Sequence, residues 1–247
     1  MAAAFLTLSM AAMAETEIIA HRGYWKTNGS AQNSLTSYRE ADRIGCWGSE
    51  IDVWITSDGV VMVNHDPSFN GVTLEKATYA EAKELTLGNG EKMPTLDEYL
   101  KVAKNGKARL VIEIKSHKDL LRQNICVDKV LALVKKYKLE NRVDYIAFSY
   151  AACLRVREKA PANTPVYYLS GDMSPAQIKA ANLTGIDYNE WVLLNDHPEW
   201  IEGCRQLGLK INVWTVDNKE RIQHFIDKKV DFITTNEPEV VKAMLKK

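Results

Sequence analysis

LKINVWTVDNKERIQHFIDKKVDFITTNEPEVVKAMLKK, Leu209 to Lys247, repeats one pattern twice. LKINVWTVD (209–217) is a short β-rich run, and KERIQHFIDKK after it places apolar residues at helical spacing. VDFITT (230–235) is again β-rich, and PEVVKAMLKK is again helical. The same alternation runs back through the chain. TGIDYN (184–189) precedes a helix from about Pro198 to Leu207, ended by Gly208. TPVYYLSG (164–171) leads into SPAQIKAA, where Ser174 caps and Pro175 takes the first helical position. VDYIAFS (143–149) leads into AACLRVREKA, and ARLVIEIK (108–115) into a long helix from Asp119 to about Lys136. CWGSEIDV (46–53) and EIIAHR (17–22), the latter followed by NSLTSYREADRIG, complete eight strand–helix units. Most of these strands are near-continuous apolar runs, as expected when both faces are covered. Eight βα units in 247 residues predict an α/β fold, a single (β/α)8 TIM barrel over 15–247. A doubly wound open sheet fits less well, because neither G-x-G-x-x-G nor a P-loop follows the first strand.

One segment breaks the rhythm. Residues 54 to about 94 hold a β-rich piece (VVMVNHD), turn signals at Asp58-Gly59 and Asn70-Gly71, a short helical patch (TYAEAKEL) and GNGEKMP. This is a small insertion after strand 2, and the helix TLDEYLKVAK follows from Thr95. In a (β/α)8 barrel the βα loops build the active site, so the insertion lies over its mouth.

Composition is that of a globular protein, 46% hydrophobic and 26% charged. Thirty-two basic residues balance 32 acidic ones, which argues against a nucleic-acid partner that must neutralise phosphates. MAAAFLTLSMAAMA (1–14) is apolar, small-residued and ends in Ala-Met-Ala, the pattern of a cleaved signal peptide. It predicts an exported protein, periplasmic or secreted. The stretch is too short to span a bilayer, and no other run reaches transmembrane length. The four cysteines (46, 126, 153, 204) lack C-x-x-C spacing and read as small buried hydrophobes, with disulfide pairing left open.

The chemistry-bearing residues sit at strand ends. Strand 1 ends in His21-Arg22-Gly23, strand 2 carries Glu50 and Asp52, the insertion brings His65, strand 3 carries Glu113 and Lys115, and strand 7 ends at Trp214-Thr215. Strand alternation points Glu50 and Asp52 the same way, and Glu113 with Lys115 likewise. If those faces line the barrel mouth, three carboxylates converge there and repel unless they protonate or share a cation. Hard divalent cations, Mg²⁺ or Ca²⁺, prefer such oxygen ligands. Arg22 and Lys115 add positive charge suited to a phosphate, and His21 and His65 titrate near neutrality as an acid–base pair would. Simpler readings exist for each residue taken singly: Glu113 pairing with Lys115, Trp214 as core, the histidines as hydrogen-bonding groups. His117, His197 and His224 read as loop or surface residues. Glu81, Glu84, Glu98 and the basic run 135–138 read as solvated helix faces.

The set HRG (21–23), Asn33-Ser34, E-I-D-V-x-x-T-x-D-G…H-D from Glu50 to Asp66, EIK (113–115), VWTV (213–216) and DFITT resembles the glycerophosphodiester phosphodiesterases. The resemblance spans residues 17 to about 238. It implies a (β/α)8 barrel that hydrolyses a small-molecule glycerophosphodiester to glycerol phosphate and an alcohol. It places one divalent cation on Glu50, Asp52 and Glu113, makes His21 and His65 the general acid and base, and has Arg22 and Lys115 hold the phosphate. Trp214 becomes an apolar wall for the substrate. The implied route runs through a cyclic phosphate formed by the substrate's own glycerol hydroxyl. Two positions depart from the family's pattern: Ala31-Gln32-Asn33 stands where P-E-N is frequent, implying one carboxylate fewer near the metal, and Asn236 stands where an aspartate is usual. Gln32, Asn33 and Asp66 are left as surrounding residues without assigned roles. The competing readings are a non-catalytic barrel that binds phosphodiesters, which would not need the histidine pair, and a related phospholipase acting on intact lipid. The phospholipase would want an apolar rim; the insertion offers only Phe69 and Tyr79, so small soluble substrates are favoured. Head group, choice of cation and oligomeric state are left open by the sequence.

Overall fold

The computed structural model describes residues 15–246. The segment 1–14, expected from the sequence to be a signal peptide, lies outside them. Eight parallel strands close into a barrel: β1 (Glu17–Ala20), β2 (Gly48–Ile55), β6 (Arg109–Ile114), β7 (Val143–Ala147), β8 (Val166–Tyr168), β9 (Gly185–Asn189), β10 (Lys210–Trp214) and β11 (Phe232–Thr235). β1 pairs with β11 on one side and β2 on the other, which closes the ring. The helices between them are α1 (Leu35–Arg43), α3 (Leu96–Ala103), α4 (Leu120–Tyr137), α5 (Tyr150–Lys159), α6 (Pro175–Ala180), α7 (Trp200–Gln206), α8 (Lys219–Asp227) and α9 (Pro238–Leu245). This is the (β/α)8 barrel expected from the eightfold rhythm.

Strand parity sorts the core into two shells. Outward residues such as Ile51, Val53, Leu110, Ile112, Ile186, Ile211, Val213 and Ile233 pack under the helices in one continuous cluster. Inward residues Ile19, Val111, Ile146, Tyr167, Leu169 and Phe232 fill the barrel's interior, with Trp47 and Trp214 against them. At the N-terminal end Arg109 closes the barrel: its guanidinium contacts Asp144 at 2.5 Å and stacks 5.1 Å over Trp47. The interior is therefore packed below, with the Arg109–Asp144 pair at its N-terminal end, and gathers its carboxylate cluster near the C-terminal ends of the strands.

The insertion is a small subdomain with its own core of Trp54, Met62, Leu74, Ala82, Leu85, Leu87 and Met93. It contains β3 (Val61–Val63), antiparallel to β2, the hairpin β4 (Ser68–Phe69) and β5 (Val72–Thr73), and α2 (Tyr79–Lys83). Asn70 and Gly71 both take positive φ, 48° and 81°, the backbone a two-residue hairpin turn needs. Glu91 from the same insertion accepts from the N–H groups of Leu35 and Thr36, tying the subdomain to the start of α1. Glu81 and Glu98, read from sequence as solvated, close capping boxes with Thr78 and Thr95. The pattern did not foresee the π-helical turn Val192–Asp196 before α7. All four cysteines are buried and free.

Candidate active site

The turn after β1 is made by His21, Arg22 and Gly23. Arg22 and Gly23 both have positive φ, 55° and 75°. Gly23 is required twice over, because a Cβ there would sit 2.2 Å from Ser37 Oγ. The turn aims the Arg22 backbone N–H at Glu50, 2.7 Å from Oε2. Asn33, also at positive φ (59°), clamps the next layer. Its Nδ2 donates to Asp52 Oδ2 at 2.9 Å, its Oδ1 accepts from the Asp52 N–H, and its own N–H reaches the Arg22 carbonyl.

Asp52 and Glu113 are register partners on β2 and β6, and Glu50 sits one inward position below. The three carboxylates offer ligand oxygens all within 4.8 Å of one another, and all three residues are buried. Lys115 Nζ lies 2.7 Å from Glu113 and 3.2 Å from Asp52, so the simple Glu113–Lys115 pairing is present. One ammonium does not balance three acids. Burial and the neighbouring carboxylates push Glu50 well above the carboxylate range and Glu113 up to about 8. Asp52 is buried too, and burial is the largest single influence on it, but Lys115, His65, the Asn33 amide and Arg22 together outweigh that burial and hold it low. Acids driven toward protonation by their own crowding are what a divalent cation relieves, and oxygen ligands suit a hard one. The residues present thus fit a single divalent cation.

The two histidines are wired differently. His21 Nδ1 is 2.9 Å from Asn236 Oδ1, which also accepts from Trp25 Nε1 at 2.9 Å. The Asn236 amide nitrogen donates to Asp217 Oδ2 at 2.7 Å, and its backbone N–H to Asp217 Oδ1 at 2.8 Å. A carboxylate only accepts, so Asp217 fixes the amide's orientation, and Asn236 then demands the proton on His21 Nδ1. His21 Nε2 is left with its lone pair. Burial, with Arg22 adjacent, pushes the His21 pKa down to about 4, so its ring is neutral at pH 7. His65 instead pairs Nδ1 with Asp66 Oδ1 at 2.7 Å, and its carbonyl accepts from Trp54 Nε1.

Two hollows meet at these groups. One, of about 150 Å³, is lined by His21, Glu50 and Glu113 on one wall and by Ile146, Phe148, Leu169 and Trp214 on the other. The second, of about 240 Å³, is the more polar of the two, with Gln32, Asn33, Asn64 and Asp66 around it beside Ala31, Phe69 and Leu87. Arg22 and His65 line both. A larger groove of about 550 Å³ lies among α4, α5 and their connections and contains none of these residues.

Gln32 Oε1 accepts from Arg22 Nη1 at 2.8 Å, and the same guanidinium has its Nε 3.9 Å from Asp52 Oδ2. His117 lies in a loop, as read, but bridges: it accepts from the Ile55 N–H and donates to the Lys115 carbonyl. Asp187, Phe148, Asp217 and Trp25 were not singled out from sequence. For Asp187 and Phe148 the signal was available, since strand parity places both on inward positions.

A (β/α)8 barrel with an acid cluster, two basic residues and two histidines at its C-terminal mouth defines a class of metal-assisted hydrolases acting on anionic esters. Residues 21–240 match the glycerophosphoryl diester phosphodiesterase family. The chain belongs to that family, and with it to the phosphoric diester hydrolases. It is 45% identical to a glycerophosphodiester phosphodiesterase from Parabacteroides distasonis whose crystal structure superposes with a TM-score of 0.92, covering 94% of this chain and 97% of that one. It is 29% identical over 246 residues to the glycerophosphodiester phosphodiesterase of Caldanaerobacter subterraneus subsp. tengcongensis, covering 94% of this chain and 99% of that relative. A phosphodiesterase from Oleispira antarctica, solved with its product sn-glycerol 3-phosphate, is 20% identical with a TM-score of 0.82, over 94% and 98% of the two chains, and shares the fold.

Proposed function

We propose that this barrel hydrolyses glycerophosphodiesters to glycerol phosphate and an alcohol with one divalent cation, Mg²⁺ or Ca²⁺, held by Glu50, Asp52 and Glu113. Such a cation supplies charge to offset the phosphoryl oxygens. Arg22 and Lys115 flank the phosphate and add to that effect. The observation that carries the reading is how the histidines divide over the hollows: His21 lines only the hollow under Trp214, whereas His65 lines both. The glycerol arm takes the hollow beside His21 and the alcohol arm the polar one. His21, neutral and with Nε2 free, removes the proton of the glycerol 2-hydroxyl, whose oxygen attacks phosphorus. The bond from phosphorus to the alcohol oxygen breaks, and His65 gives that oxygen its proton. Water then opens the cyclic phosphate with the two roles exchanged.

The test is an assay of the purified protein over glycerophosphocholine, glycerophosphoethanolamine and other glycerophosphodiesters, with EDTA and with Mg²⁺ or Ca²⁺ restored. Turnover lost with chelator and regained with cation is the expected result. Activity indifferent to EDTA removes the metal assignment, and a barrel that binds these diesters without cleaving them is the non-catalytic alternative. Export belongs to the same proposal, and cell fractionation tests it.

A further inference from the structure

The hollow beside His21 holds an acid that the proposed reaction does not use. Asp187 lines it from β9, which stands four strands from β2 in either direction around the ring. Ile186 and Tyr188 on either side of it turn outward into the helix layer, so Asp187 points into the barrel. It is the register partner of Asn212, one inward position below Trp214. Trp214 Nε1 donates to the Asp187 carbonyl at 2.9 Å, which fixes the indole above it. The residue is 1% exposed, and its Oδ1 has no hydrogen-bond partner. Its polar neighbours are largely taken up with each other: Asn212 Nδ2 donates to Thr234 Oγ1 at 2.9 Å, and Thr234 Oγ1 lies 3.1 Å from Asn212 Oδ1. No cation offsets the acid. Buried polar atoms are almost always paired, and an orphan destabilises the fold. An apolar residue at this position would carry no such cost, so the orphaned oxygen points to a ligand.

A hydroxyl suits this oxygen in either of the acid's protonation states, because it donates to a carboxylate and accepts from a carboxylic acid. The glycerol arm brings two hydroxyls into the hollow. The 2-hydroxyl is engaged by His21 and attacks phosphorus, which leaves the terminal one. We propose that Asp187 binds the terminal hydroxyl of the glycerol arm through its free Oδ1 and so makes the enzyme selective for diesters whose arm ends in a free hydroxyl. The inference rests on the glycerophosphodiesterase reading above and supplies a partner for the part of the substrate that does not react. It separates recognition from chemistry. An arm that lacks only the terminal hydroxyl keeps the 2-hydroxyl, so the same bonds form and break. Binding that arm would leave Asp187 Oδ1 without a partner and shut off from water.

The experiment measures choline release by the metal-loaded protein from glycerophosphocholine and from 2-hydroxypropyl phosphocholine, in which hydrogen replaces the terminal hydroxyl. The parent protein is expected to show a kcat/KM about ten- to a hundredfold lower for the second, the usual consequence of leaving a buried polar group unpaired. In Asp187→Ala that discrimination should shrink to within about threefold. The variant's KM for glycerophosphocholine should rise about ten- to a hundredfold with kcat little changed, because the contact is made alike before and during reaction. Asp187→Val fills more of the vacated space and suits a strand, and either variant alone gives the answer. Equal cleavage of the two substrates by the parent protein overturns the inference and leaves the glycerophosphodiesterase reading standing. Discrimination that survives in the variants also overturns it, as does a loss confined to kcat and equal on both substrates. Failure of the parent protein to cleave glycerophosphocholine overturns the glycerophosphodiesterase reading itself.

Discussion

At the scale of single residues, the site turns on where protons are held. His21 owes its tautomer to two polar side chains arranged in series behind it. Asp217 orients the Asn236 amide, and the amide keeps the proton on His21 Nδ1. On the proposed mechanism, replacing His21 or His65 by alanine removes the proton acceptor or donor and is expected to lower kcat by about a hundred- to ten-thousandfold, the usual share of general acid–base catalysis. Asn236→Ala should act differently. The ring remains but its tautomer and orientation are no longer imposed, so kcat should fall about ten- to a hundredfold with KM little changed, a size comparable to the loss of supports behind metal-bound histidines. A steady-state kcat and KM pair for Asn236→Ala checks this, and an unchanged kcat would remove the positioning role. The sequence presented Asn236 only as a departure from a pattern. Its effect depends on β10 and β11 being neighbours, which brings Asp217 against Asn236 from 19 residues away. Spacing along the chain carries no trace of that contact.

At the scale of elements, strand parity did most of the work and was legible. SEIDV and VIEIK put Glu50, Asp52, Glu113 and Lys115 on one face from alternation alone, and the register of β2 on β6 sets Asp52 opposite Glu113. Helix starts were legible as well, because Ser34, Thr95 and Ser174 cap through side-chain oxygens in the way their types suggest. The turns were less so. The β1–α1 turn needs two consecutive residues at positive φ, and only the glycine of HRG announces it. That turn carries His21, points the Arg22 N–H at Glu50 and is locked by the Gly23–Ser37 approach. Gly23→Ala is therefore expected to cost about 2–4 kcal/mol, combining left-handed backbone with a Cβ forced into the backbone and side chain of Ser37. Gly59→Ala offers a control, since its φ is also positive (88°) but its Cβ would meet nothing. Chemical denaturation of the two variants checks the difference. Equal losses would show that the close approach to Ser37 adds nothing beyond the backbone term.

At the scale of the whole molecule, the barrel holds two acidic regions that behave differently. The cluster of Glu50, Asp52 and Glu113 is legible in sequence because its members share motifs, and a cation with Lys115 and Arg22 can compensate it. Asp187 was legible only as an inward strand position. It sits inside TGIDYN as one polar residue in an apolar strand, and only closure of the ring turns it into the reaction cavity. It is fully buried, with Oδ1 lacking a partner, and no cation offsets it; burial pushes its pKa up to about 7 while a hydrogen bond from Asn212 opposes that only in part. The folded protein thus keeps this proton between about pH 4, where an unfolded aspartate ionises, and about pH 7. Folded protein binds more protons than unfolded across that window, so stability must fall as pH rises through it. The shift of about three units is worth at most about 4 kcal/mol at 1.36 kcal/mol per unit. Asp187→Asn removes the titration and keeps the shape. The variant's stability relative to the parent should therefore rise between pH 4 and pH 8, by up to that amount. Glu50 and Glu113, raised first by burial and then by Asp52, destabilise with pH in the same direction, yet Asp187 is not among the leading charges that shift them. Their contribution cancels in the difference between the two proteins. Urea denaturation of both at several pH values provides the measurement, and a difference that stays flat across the range would mean that Asp187 ionises in the folded barrel as easily as in the unfolded chain.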